Sequence, residues 1–336
     1  MSQPLFQVKD LQVEFDTFGG VVHAVRGVSF EVEQGQTLAI VGESGCGKSV
    51  SVQAAMGLLP MPPARIMSGS VLLGGQQVLT DSGKEYRGRD IGMIFQDPMS
   101  ALNPTMTIGD QIAEPLIVHR GLSKADARRR VLELLDLVRI PEGVKRVAQY
   151  PFEFSGGMLQ RVMIAMAIAC KPKVLIADEP TTALDVTIQA QILELLQSLQ
   201  KETGMALVLI THDLGVVARV ADHVAVMYAG KIVERGTVDE VFYQSGHPYT
   251  LGLKQAMPSV KAMTDRAMQP IAGSPPDLFS PPVGCAYGAR CPYAMAVCKR
   301  HDSPSMTLSN SHSAHCWLHH ELAPAGEAKS AVGGDA

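Results

Sequence analysis

The sequence predicts an α/β protein with a mainly parallel sheet, and three observations carry that expectation. Apolar runs at 37–41, 174–177 and 206–210 have the length and continuity of strands buried on both faces. The last two flank a stretch with helical spacing, residues 187–203. A second such stretch, 123–139, places Val131, Leu134, Leu135 and Val138 on one face behind Ser123 as N-cap. Short buried strands alternating with helices are the pattern of a parallel sheet covered by helices.

The remaining elements follow in order. Residues 5–15 alternate apolar and polar side chains, as a half-buried strand does, and 28–32 repeat the pattern. No internal repeat is present, and 336 residues suffice for one large domain with an appendage. A composition of 46% hydrophobic and 18% charged residues fits a well-buried globular chain. The net charge of −4 offers no electrostatic reason to bind nucleic acid or an anionic membrane surface. The richest apolar run, 162–170, is about half the roughly 20 residues that a membrane-spanning helix needs. The first residues lack a basic segment followed by an apolar one, so no signal peptide and a cytosolic setting are expected. In that setting the six cysteines are expected to be thiols or metal ligands, not disulfides.

Composition changes after about residue 250. Pro270, Pro275, Pro276, Pro281 and Pro282 precede Cys285, Cys291, Cys298 and Cys316, which predicts a linker and a small loop-rich module. Residues 323–336 are small and polar and are expected to be disordered.

Two motifs carry chemistry. Gly42, Glu43, Ser44, Gly45, Cys46, Gly47, Lys48 and Ser49 fit the G-x-x-x-x-G-K-[ST] phosphate loop between a buried strand and a helix. Its glycines let backbone N–H groups face phosphates, with Lys48 on the β- and γ-phosphates and Ser49 on Mg²⁺. The strand at 174–177 ends in Asp178 and Glu179, suited to hold Mg²⁺ and to accept a proton from attacking water. Read without its flanking residues, His212 is an ordinary buried histidine.

Phe154-Ser155-Gly156-Gly157-Met158-Leu159-Gln160-Arg161 resembles the LSGGQ signature of ABC ATPases. Ile94-Phe95-Gln96-Asp97-Pro98 resembles their Q-loop, Thr182-Ala183-Leu184-Asp185 their D-loop, and Ile210-Thr211-His212-Asp213 their switch histidine. The motifs occur in the family's order over about residues 5–250. The resemblance implies an ABC-type nucleotide-binding domain over about 1–250, a RecA-like core plus a helical subdomain at about 97–160. It also implies ATP and Mg²⁺ as ligands, with Ser49, Gln96 and Asp178 on the metal, and Glu179, His212 and Gln96 in hydrolysis, Gln96 at the attacking water and His212 on the γ-phosphate. Two such domains pair head to tail, so Ser155, Gly156 and Gly157 would act on the partner's ATP, with Asp185 in the D-loop. An adenine-stacking aromatic normally precedes the phosphate loop; Phe15 is the candidate and His23 its rival. Phe154 and Met158 depart from the signature, and any glutamine contact at position 158 is lost.

The four C-terminal cysteines, with Gly246-His247-Pro248-Tyr249-Thr250 and Gly273-Ser274-Pro275-Pro276, resemble the extension of oligopeptide and dipeptide permease ATPases, here about 251–322. That resemblance implies a bacterial ABC importer of short peptides, with nickel or glutathione as alternative cargo, at the cytoplasmic face of the inner membrane. The implied partners are a homologous second ATPase subunit, two transmembrane permease subunits and a substrate-binding protein. Cys285, Cys291, Cys298 and Cys316 are candidate ligands for a 4Fe–4S cluster or Zn²⁺. His312, His315, His319 and His320 are substitute ligands or a solvated tail. Scarce periodic apolar positions at 270–320 suggest that a metal orders this module, and it is expected to lie outside the nucleotide site.

Overall fold

A computed structural model of the chain describes residues 3–79, 85–182, 184–256 and 270–323. The expected linker residues 257–269 and the tail from 324 onward lie outside the described residues. The strands, in chain order, are β1 (Phe6–Thr17), β2 (Gly20–Val32), β3 (Thr37–Val41), β4 (Ala64–Leu73), β5 (Gln76–Gln77) and β6 (Ile91–Ile94). They continue as β7 (Val174–Asp178), β8 (Ala206–Thr211), β9 (His223–Tyr228), β10 (Lys231–Thr237), β11 (Met306–Thr307) and β12 (Ser313–Ala314). The helices begin with α1 (Lys48–Ala55), α2 (Pro98–Ala101), α3 (Ile108–Arg120), α4 (Lys124–Leu137) and α5 (Gly143–Arg146). They continue with α6 (Gly156–Ile168), α7 (Val186–Thr203), α8 (Leu214–Val220), α9 (Val238–Tyr243) and α10 (Pro248–Gln255). No helix among the described residues is long and apolar enough to cross a membrane.

The chain forms two compact units. The first comprises Met1–Phe6, Val32–Thr37 and Leu72–Ile210; the second comprises Gln7–Glu31, Leu38–Val71 and Thr211–Ala336. In the first unit β7 lies between β6 and β8, parallel to both, with Val174 opposite Ile91 and Ala206. Every residue of these strands is buried, which explains why they are apolar up to the closing Asp178 and Thr211. A Cβ at Gly92 would meet the Ala167 carbonyl oxygen at 2.3 Å, so the α6 backbone rests directly on β6. The Ser123 hydroxyl accepts from the Asp126 N–H at 3.2 Å and starts α4, as the sequence predicts. Helix α7 starts at Asp185, whose carboxylate accepts from the Ile188 N–H at 2.9 Å, and buries Ile192, Leu195, Leu196 and Leu199. Cys170 lies in the turn after α6, buried with its sulfur 3.3 Å from the Pro115 carbonyl oxygen.

In the second unit β2, β1 and β4 are neighbours in one sheet. In the other, β3 runs parallel to β9, and β9, β10, β12 and β11 then pair antiparallel in that order. The C-terminal residues therefore extend a sheet that includes the phosphate loop's own strand. The expectation that they lack a core is corrected by the same packing: Tyr287, Cys285, Cys291, Ile271 and Leu278 close over Tyr228, Val233, Val241 and Tyr249. Apolar area supplied by earlier strands and helices orders the module without requiring periodicity of its own.

Glu234 is the polar anchor of this arrangement. Its fully buried carboxylate accepts from the N–H groups of Gly246 (2.6 Å) and His247 (2.9 Å) and from the Thr250 hydroxyl (2.5 Å). His312 Nε2 lies 2.8 Å from the same group. His315 Nδ1 lies 3.2 Å from the Ser303 carbonyl oxygen, and His319 Nε2 lies 2.6 Å from that of Gly246. These histidines are thus packed into the fold, not a solvated tail, because β12 carries them against β10. Glu234→Ala orphans several buried donors at once and is expected to cost about 3–5 kcal/mol of stability, read as a lower urea midpoint and earlier proteolysis beyond residue 245.

Candidate functional site

Strand β3 delivers the chain into the phosphate loop, and two glycines make the curl possible. Gly42 has φ 155° and Gly47 has φ 99°. A Cβ would meet the Met227 carbonyl oxygen at 2.1 Å at the first and the Ala24 carbonyl oxygen at 2.5 Å at the second. Lys48 is 5% exposed, and its ammonium donates to the carbonyls of Gly42 (2.9 Å) and Glu43 (3.0 Å), so the loop wraps around the charge. Helix α1 begins with no side chain capping its first N–H groups, the arrangement that favours a bound phosphate. Ser49 lies half-buried in its first turn, Ser44 and Gly45 are exposed, and the Cys46 thiol is pushed up by burial.

The phosphate loop is also held from the C-terminal side, which corrects the expectation that the cysteine module lies outside this site. The Glu43 N–H donates to the Tyr249 hydroxyl at 2.8 Å. The Glu43 carboxylate accepts two bonds from the Arg290 guanidinium, at 2.7 and 2.9 Å. Neither Tyr249 nor Arg290 has a sequence motif that states this role. Residues 206 and 247 positions apart meet only in the folded chain.

The first unit holds the second group of predicted residues. Asp178 ends β7 and is 2% exposed. Glu179 follows with φ 47°, a left-handed conformation that costs a non-glycine residue roughly 1–3 kcal/mol and recurs at functional sites. Its N–H donates to the Ile210 carbonyl at 2.9 Å. Its carboxylate accepts from the Gln96 amide (3.0 Å) and from the Thr182 hydroxyl (2.9 Å). The fold thus joins Gln96 and Glu179, two residues predicted separately, and adds Thr182, which the sequence places in the D-loop without a role.

Ser155 is the N-cap of α6, with no side-chain cap bond, so its hydroxyl is not used to start the helix. Gly157 is required by packing, since a Cβ there would meet Ile188 Cγ2 at 2.9 Å. Gly156 faces nothing within 4 Å. Phe154 is buried beneath the Arg146 guanidinium, 5.4 Å above its ring. In the second unit His212 is exposed, so the plainer reading of a buried histidine fails; Asp213 beside it caps α8 through the Gly215 and Val216 N–H groups. Phe15 is half-buried on β1, and His23 on β2 pairs with Glu14 at 2.9 Å.

The four cysteines are free thiols, Cys316 buried and Cys285, Cys291 and Cys298 half-buried. Burial and then Cys285 and Cys298 push the Cys291 thiol up to about 11. Burial and then the other three push Cys316 up to about 12. Four such groups become thiolates together only when a cation compensates their charge. Yet among the described residues no group of three or more His, Cys, Asp or Glu is placed to hold a metal ion. Cys285 and Cys291 pack against the apolar core around Tyr228 and Tyr249.

The profile of the ABC transporter family matches residues 25–182, and that of the oligopeptide/dipeptide transporter C-terminal region matches 233–298. The chain is 55% identical to the oligopeptide transport ATP-binding protein OppD of Bacillus subtilis, over 98% of this chain and 92% of that one. It is also 55% identical to the dipeptide transport ATP-binding protein DppD of the same organism, over 96% of each chain. Among solved structures it is similar to the ATP-binding cassette MJ0796 in a dimeric post-hydrolysis state bound to ADP and Pi, with TM-score 0.62 and 28% identity over 69% of this chain and 98% of that one. It is likewise similar to CbiO1 from Clostridium perfringens, with TM-score 0.59 and 30% identity over 72% and 91% of the two chains. Phosphate loop, acid pair, signature helix and near full-length identity agree: the chain belongs to the ABC transporter family and is one of its ATPases.

Proposed function

We propose that this chain is the ATP-hydrolysing subunit of an importer of di- and oligopeptides, working at the cytoplasmic face of a bacterial inner membrane. The observation that carries the cargo assignment is 55% identity to oligopeptide and dipeptide transport subunits across the C-terminal region as well as the ATPase portion. Its proposed partners are two transmembrane permease subunits, a homologous second ATPase subunit and a substrate-binding protein outside the membrane.

Within the second unit, residues Gly42 to Ser49 receive the ATP phosphates, Ser49 offers its hydroxyl to Mg²⁺, and His212 contacts the γ-phosphate. Within the first, Asp178 and Gln96 are the proposed Mg²⁺ ligands and Glu179 the general base. The Gln96–Glu179 hydrogen bond supports this, because it couples a residue of the Q-loop directly to the proposed base. Phe15 remains the proposed adenine-stacking residue, and Asp185 the D-loop acid.

The signature is proposed to act on the partner's ATP. An uncommitted Ser155 hydroxyl and a Gly156 with open space beside it support this, since nothing in this chain's own packing requires glycine there. Phosphate held against a helix start by N–H groups without side chains is the chemistry such a surface provides.

Reconstituting the chain with its genetic neighbours' permease, ATPase and binding proteins in liposomes tests the reading. ATP-dependent uptake of labelled di- to pentapeptides is expected, and Lys48→Ala should lower it by at least about 100-fold by removing the phosphate-loop cation. Uptake of nickel or glutathione without peptide would overturn the cargo assignment.

A further inference from the structure

We propose that Arg290, in the C-terminal module, is a positioning residue for ATP binding: it holds the Glu43 carboxylate and neutralises it beside the phosphates. The proposal rests on reading residues 42–49 as the ATP phosphate loop. Glu43 is the second residue of that loop, so its negative charge sits where a polyanion must dock. Left unpaired, it repels the ligand and is free to turn into the loop; in a partly buried setting such repulsion is weakly screened.

The contact is a built one. Both ends of the Arg290 guanidinium engage Glu43, a bidentate pair in which the arginine side chain is 6% exposed and the glutamate 24%. The remaining donors are also committed: Nε to the Ala272 carbonyl (3.0 Å), Nη2 to that of Ile271 (3.2 Å) and Nη1 to the Tyr228 hydroxyl (3.2 Å). The cation lies over the Tyr228 and Tyr287 rings, at 5.8 and 6.0 Å. Tyr228, Tyr249 and Tyr287 pack on one another with centroids 4.5 to 5.4 Å apart. Tyr249 in turn takes the Glu43 N–H, so that peptide is fixed at both its backbone and its side chain. The loop presenting Arg290 is closed by a Gly288 N–H to Cys285 carbonyl bond and an Arg290 N–H to Tyr287 carbonyl bond, each 2.9 Å, between Cys285 and Cys291. A residue 247 positions away thereby sets the charge and direction of the phosphate loop's own acid.

A charge-compensation cycle tests this in the full-length chain assembled with its permease subunits, using a fluorescent ATP analogue for affinity and phosphate release for turnover. Arg290→Ala should weaken ATP affinity and raise KM by about tenfold, the scale of one charge-assisted pair, with kcat changed less than about twofold. Arg290→Lys, which keeps the charge but loses the fork, should fall between. The diagnostic variant is Glu43→Gln with Arg290→Ala: removing the stranded carboxylate should restore affinity to within about twofold of Glu43→Gln alone. Unchanged KM in Arg290→Ala, or a loss that Glu43→Gln does not relieve, overturns the proposal; the second result marks Arg290 as merely structural. Lys48→Ala is the control for the underlying reading. If it binds ATP like the parent chain, the phosphate-loop assignment itself fails, a result distinct from failure of the Arg290 cycle. Should Arg290→Ala not assemble, the salt dependence of ATP binding in Glu43→Gln decides. An uncompensated Arg290 should hold affinity at or above the parent value and steepen its loss with salt, and weaker binding with an unchanged slope overturns the proposal.

Discussion

Glu179→Gln is expected to keep ATP binding and to lower turnover in the assembled transporter by at least about 100-fold. The substitution preserves shape, and the partners it would disturb are known: the Gln96 amide at 3.0 Å and the Thr182 hydroxyl at 2.9 Å both donate to the carboxylate. Both donate to the same oxygen, and an amide oxygen in its place can accept both bonds, so folding around the left-handed position at φ 47° should survive. What it loses is the capacity to take a proton from water. Nucleotide affinity and phosphate release measured side by side separate the two effects. Near-normal turnover would remove Glu179 from its assigned role, whereas lost ATP binding would make it a structural residue of the β7 end.

Gly156→Asp is the second large effect, with turnover of the assembled transporter expected to fall by about 100-fold or more while ATP still binds this chain's own phosphate loop. The argument depends on sign. Space beside Gly156 is open, and an added Cβ meets nothing within 4 Å. An acidic residue in the first turn of α6 favours the helix dipole, and the isolated chain should be as stable as before or slightly more so. The same carboxylate would repel a phosphate approaching from a partner. Stability retained and hydrolysis lost is therefore the signature of a surface used between chains. Site-resolved nucleotide trapping would show the defect at the partner's loop; a defect confined to the Lys48 loop contradicts the composite site.

Much of the architecture was legible locally. Strand β3 matches its apolar run, β7 and β8 extend theirs by one residue, and Ser123 caps α4 as its spacing implies. The reason is that a fully buried strand admits few polar residues, and an N-cap needs one short acceptor at one place. The phosphate loop was equally legible, because its glycines answer to contacts such as Gly42 against Met227 that no other residue tolerates. The four-cysteine pattern left a metal centre and reduced structural thiols both open, and in the fold Cys285 and Cys291 pack against the apolar core around Tyr228 and Tyr249.

Short-range pattern in the sequence carried the class of fold, several of its buried strands and helices, and the candidate phosphate-handling residues. Tertiary structure decided which of those residues meet. Gln96 reaches Glu179 across 83 positions, and Arg290 reaches Glu43 across 247. Neither pair leaves a periodic trace, because a long-range polar contact needs only one suitable side chain at each end and the path between them is set by sheet order and loop length. For the same reason His312 looked like tail until β12 joined β10 and brought it to Glu234, where burial makes an unpaired acceptor costly and a donor nearby indispensable.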